Sequence, residues 1–132
     1  MTARRLDALA FDVVETLFSL DAVARRLAQV GAPEGAPDLW FARLLRDGFA
    51  LAASGDYRPF REVAASSLRA VLPDPDDEAV EGVLAGLGEL EAYPDAEPAL
   101  RRAAEAGLRI VTLTNGSAPS TQALLGRAGL AA

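Results

Sequence analysis

An α/β fold built on a parallel sheet is what this chain predicts, and three observations carry the prediction. LDALAFDVV, residues 6 to 14, is short and apolar and ends in β-branched and aromatic residues; LRIVTLT, residues 108 to 114, has the same character. Such runs suit strands buried on both faces of a parallel sheet. The second run follows a helical pattern through Gly107, and a short helix-to-strand connection is typical of an α/β layer. Both runs are apolar enough to be central, which places the two strands parallel and adjacent. The helices between them are too many for one crossover and must form an extra layer or cap.

The elements follow in order. DAVARRLAQVG carries apolar positions at 23, 27 and 30, with Arg25 and Arg26 on the other side and Gly31 as a stop. A helix over roughly 38–53 follows Pro37 and Asp38 and stacks Phe41, Leu45, Phe49 and Ala52 along one stripe, with Arg43, Arg46 and Asp47 facing away. SGDY turns the chain at 54–57. Two further helices, 59–72 and 76–91, are separated by the turn-rich PDPDD. In YPDAEPALRRAAEAGLRIVTLTNGS, Asp95 is placed to cap a helix, Pro98 sits in its first turn, and Gly107 ends it before the strand. SAPSTQALLGRAGL opens a last helix near Pro119.

Composition removes several kinds of chemistry. The 132 residues, 51% of them apolar, suffice for a domain-sized core. Cysteine and histidine are both absent, so thiol and imidazole catalysis and the commonest zinc ligands go with them. All 13 basic residues are arginine. A net charge of −6 argues against a nucleic-acid surface. The nine acids from Asp74 to Glu97 read as a solvated face, since DPDDEAVEG matches no calcium loop. MTARRLDALAFDVV does not read as a signal peptide, and no run approaches the ~20 apolar residues of a membrane span, so a cytoplasmic location is the expectation.

Ligands of open α/β sheets bind beyond the carboxyl ends of the strands. Asp12 and Thr114 stand at those ends. As isolated residues they have structural readings too: Asp12 as a turn aspartate, Thr16 as a helix cap, and Thr114 with Asn115 as the turn into the next helix.

FDVVETLF, a helical insertion, and then the strand ending in Thr-Asn-Gly-Ser together resemble the haloacid dehalogenase superfamily, most closely its L-2-haloacid dehalogenase (type II) branch. The resemblance covers nearly the whole chain. It implies a Rossmann-like parallel sheet, incomplete in this chain, with an α-helical cap inserted after the first strand. Residues 1–18 would be core strand and nucleophile loop, 19–92 the cap, and 93–132 the return to the core. It further implies that Asp12 is a nucleophile forming an ester that water hydrolyses, with Thr16 contributing a hydroxyl to its loop and Thr114 and Asn115 holding the nucleophile or the leaving halide. Oriented by loop amides and a hydroxyl, an ionised carboxylate can do this. The implied substrate is a small 2-haloacid-like molecule, with no nucleic acid, membrane or cofactor involved.

Departures from the pattern matter as much. Phosphatases of the superfamily carry a second aspartate two residues after the nucleophile; here that position is Val14, which cannot protonate a leaving group, and magnesium would be called for only by phosphatase-like chemistry. Glu15 stands where the dehalogenase pattern has glycine. In the cap segment LWFARLLRDGFALAASGDYRPF, Leu45 and Phe60 fall where the pocket's apolar wall would be, with helix-core packing as the alternative. Phe41 takes the place of an arginine that grips halide or carboxylate, and Arg43 points elsewhere at ~100° per helical residue. The family's lysine and later acidic motif are not present. Two strands also leave open sheet edges. Hence the chain is either a fragment of a longer protein or completes itself through a partner or self-association, and a non-catalytic interaction module of the same fold is the competing reading.

Overall fold

A computed structural model describes residues 6–131. The N-terminal residues MTARR and Ala132 lie outside the described residues, and with them the first five residues of the segment weighed as a signal peptide. The chain divides into two compact units, Met1–Leu20 with Glu91–Ala132, and Asp21–Leu90.

In the first unit, β1 (Ala8–Phe11) pairs in parallel with β4 (Arg109–Thr112) in the register Ala8↔Arg109 to Phe11↔Thr112. The predicted adjacency is therefore present. Both strands are shorter than the apolar runs, and neither is buried on two faces as expected: Val111 is 41% exposed and Leu113 73%. A sheet of two strands gives such side chains too few neighbours. A second pairing, β2 (Phe18–Ser19) antiparallel to β3 (Glu91–Ala92), had no sequence signal because each strand has only two residues. Helix α5 (Ala96–Glu105) returns to β4 through Gly107 at φ 78°, where the Leu108 amide donates to the Ala103 carbonyl at 3.2 Å. A left-handed residue just past the helix is what lets those amides turn back on the last carbonyls. Asp95 occupies the N-cap position without a capping bond from its side chain, since its backbone is helical rather than extended. Ser117 does cap α6 (Ala118–Arg127), accepting from the Ser120 amide at 3.2 Å.

The second unit is helical: α1 (Asp21–Gln29), α2 (Ala36–Ser54), α3 (Phe60–Arg69), α4 (Asp77–Ala85) and a 3-10 turn, Gly86–Gly88. Helix α2 packs on α1 and α3, and α4 packs on the same two. Its core holds Val23, Leu27, Trp40, Leu44, Ala64, Leu68, Val80, Val83 and Leu84. The stripe of α2 that faces this core is Ala36, Trp40 and Leu44, not the expected Phe41, Leu45, Phe49 and Ala52. Phe49 is 65% exposed. The indole decides the rotation of the helix: Trp40, 1% exposed, buries its ring and donates Nε1–H to the Ala64 carbonyl at 3.1 Å.

A second tie joins α1 to the end of α4. Arg26 places its guanidinium fork on Glu89, with Nε at 3.0 Å and Nη2 at 2.5 Å, and donates Nη1–H to the Gly82 carbonyl at 2.8 Å. Hydrogen bonding to the carboxylate raises the Arg26 pKa above its ordinary value, with desolvation pulling the other way. Asp76 caps α4, accepting from the Ala79 amide at 2.7 Å.

Candidate active site

The sheet register assembles the site. Asp12 follows the last residue of β1, and the Leu113 amide donates to the Phe11 carbonyl at 2.8 Å, so Asp12 and the Thr114–Asn115 segment leave the sheet at the same carboxyl end. The chain then turns on itself. The Val13 carbonyl accepts from the Leu17 amide at 2.9 Å and the Phe18 amide at 3.0 Å, while Val13, Leu17 and Phe18 bury their side chains. That turn carries Thr16 back to the start of the loop, where its hydroxyl donates to Asp12 Oδ2 at 3.3 Å. The bond is long and exposed, so it orients the carboxylate more than it anchors it.

Glu15 lies at the centre of the turn. Its φ is 61°, in the left-handed region, and its Oε1 accepts from the Leu20 amide at 2.6 Å. The sequence marked this residue as a departure without giving it a task. An acid at a position that resembles a glycine position was the available signal, because glycine is the usual answer to a positive φ.

At the end of β4, Thr114 is half-buried and its Oγ1 accepts from the Gly116 amide at 3.1 Å, a local turn of the kind threonine makes. A Cβ on Gly116 would stand 3.5 Å from Thr114 Oγ1 and 3.7 Å from the Oγ1 of Thr121, a buried residue of α6 that sequence reasoning passed over. Asn115 is exposed. The structure thus joins Thr16 to Asp12 by a hydrogen bond and brings Thr114 and Asn115 to the same sheet end.

Phe41, Leu45 and Phe60 belong to the helical unit and are all half-buried. Arg43, also half-buried, has its Nε buried without a hydrogen-bond partner among the described residues. A cavity of about 640 Å³ lies in the first unit on the uncovered side of β4, walled by Leu100, Ile110 and Leu125 among others, and none of the predicted site residues lines it. The register is the better guide to the site, since it sets a carboxylate and hydroxyls at the end of a parallel sheet, whereas the cavity is largely apolar surface left by a sheet of two strands.

Among the described residues no group of three acidic side chains converges to hold a metal ion. Val14, half-buried and bridged to Phe18, stands where a phosphatase of this pattern would carry an aspartate. No helix among the described residues is long and apolar enough to cross a membrane.

Comparison with known proteins agrees with the fold. An L-2-haloacid dehalogenase superposes with a TM-score of 0.87 at 27% identity, over 97% of this chain and 61% of its own. The L-2-haloacid dehalogenase from Xanthobacter autotrophicus with chloropropionic acid covalently bound gives 0.82 at 27% identity, covering 96% and 53%. A dehalogenase with an intermediate complex gives 0.84 at 28%, covering 97% and 59%. The chain therefore spans between 53% and 61% of the length of these three relatives. No curated protein matches it. A family model described as haloacid dehalogenase-like hydrolase matches residues 6–132, and the chain belongs to that family.

Proposed function

We propose that the protein is a 2-haloacid dehalogenase-type hydrolase in which Asp12 is the nucleophile. The observation that carries the reading is the placement of Asp12 at the carboxyl end of β1, beside the end of β4, with the Thr16 hydroxyl on its Oδ2. In the first step an Asp12 carboxylate oxygen attacks the halogen-bearing carbon; the carbon–halogen bond breaks and halide leaves with the bonding pair. Water then adds to the ester carbonyl, the hydroxy acid departs, and one proton is released as the carboxylate returns. Thr16 holds one oxygen so that the other presents its lone pair. Thr114 and Asn115 supply a hydroxyl and an amide at the sheet end, where negative charge develops on the leaving halide.

Support comes from relatives that hold a covalently bound chloropropionic acid and an intermediate complex, each sharing the fold of this chain. The reading includes a small 2-haloacid-like substrate, no resident cofactor and a cytoplasmic setting. Phosphate-ester hydrolysis fits less well, because Val14 has no proton to give.

A second reading, an interaction module of the same fold, is favoured by the exposed Val111 and Leu113 on a two-stranded sheet. Under it the chain would pair its sheet edge with a second copy. Incubation with 2-chloropropionate followed by peptide mass spectrometry separates the two. An adduct on Asp12 supports the enzyme, whereas self-association without any adduct supports the module.

A further inference from the structure

We infer that Glu15 is a positioning residue for the nucleophile loop, acting on Asp12 through the Leu20 amide and the turn that carries Thr16. The inference rests on the nucleophile reading above but has a readout of its own.

Two groups of Glu15 close the loop. Its backbone amide donates to the Phe18 carbonyl at 2.7 Å, and its side-chain Oε1 accepts from the Leu20 amide at 2.6 Å. The residue does this at φ 61°, a region that a side chain with a Cβ enters only against steric resistance. Among the described non-glycine residues only Glu15 and Asp74 have positive φ. Glycine would relieve the backbone but has no acceptor for Leu20, so the carboxylate supplies something that the easier residue cannot. Tying Glu15 to Phe18 and Leu20 holds the Val13–Phe18 turn shut, and that turn sets Thr16 Oγ1 at 3.3 Å from Asp12 Oδ2. Commitment to the Leu20 amide also gives the second acid of the loop a donor of its own, so that it does not compete with Asp12 for the Thr16 hydroxyl.

The test compares Glu15→Gln, Glu15→Ala and Glu15→Gly in the full chain. Gln keeps an oxygen acceptor, Ala removes it, and Gly removes it while relieving the backbone, which guards against mere misfolding. Amide hydrogen exchange should show Leu20 protected in the wild type and in the Gln variant, and exchanging about tenfold faster in the Ala and Gly variants, as loss of one charge-assisted hydrogen bond implies. The rate of Asp12 adduct formation with 2-chloropropionate should fall about tenfold in the same two variants and be retained in the Gln variant. Unchanged Leu20 exchange in Glu15→Ala, or a Glu15→Gly variant that reacts as fast as wild type, would overturn the inference. If the wild type forms no Asp12 adduct, the nucleophile reading fails, and the exchange comparison still decides whether Glu15 holds the loop.

Discussion

Replacing Trp40 probes the packing that fixes the helical unit. Its indole is 1% exposed and spans from α2 to the Ala64 carbonyl of α3. Trp40→Ala removes nearly the whole ring and leaves a cavity, for which about 3 to 5 kcal/mol is the usual loss. Trp40→Phe keeps most of the apolar volume but removes the 3.1 Å hydrogen bond. The Ala64 carbonyl is then not orphaned, because inside α3 it also accepts the amide four residues on, so the cost should be the modest net value of one bond plus imperfect fit, about 1 to 2 kcal/mol. Urea unfolding followed by helical circular dichroism measures both; fluorescence cannot, since Trp40 is the single tryptophan. A Phe variant as unstable as the Ala variant would show that the hydrogen bond, not ring burial, dominates. An Ala variant within about 0.5 kcal/mol of wild type would refute the assigned core.

Two further substitutions test other parts. Gly86→Ala would put a Cβ 2.9 Å from Arg26 Cδ and 3.2 Å from the Val23 Cα, so backbone has to move and about 1 to 3 kcal/mol of stability should be lost by the same unfolding assay. Thr114→Val removes the acceptor for the Gly116 amide and should cost about 1 kcal/mol, measured by thermal unfolding, while Thr114→Ser keeps the oxygen and should stay close to wild type.

The adjacency of β1 and β4, the helical insertion and the carboxyl-end placement of Asp12 were all legible in the sequence, because apolar run length and a helix-to-strand glycine are local signals. The rotation of α2 was not. Ala36, Trp40 and Leu44 lie beside Phe41, Leu45 and Phe49 on one broad apolar arc, and only packing against α1 and α3 decides which half is buried. Strand burial was overread for a related reason: apolar sequence reports what a strand can bury, not how many neighbours it has. The loop after Asp12 was hidden because its shape depends on one positive φ at Glu15 and on a side-chain bond spanning five residues, neither of which leaves a periodic trace. Asp95 illustrates the reverse, a residue of the right type at the right place whose backbone is wrong for capping.

The central claim is that Asp12 is the nucleophile, and peptide mass spectrometry of the protein after incubation with 2-chloropropionate tests it most directly. The account predicts a propionate ester on the peptide containing Asp12, with chlorine lost, and its disappearance in Asp12→Asn, whose neutral amide is a far weaker nucleophile. No ester on that peptide, or the same adduct in the Asn variant, would contradict it.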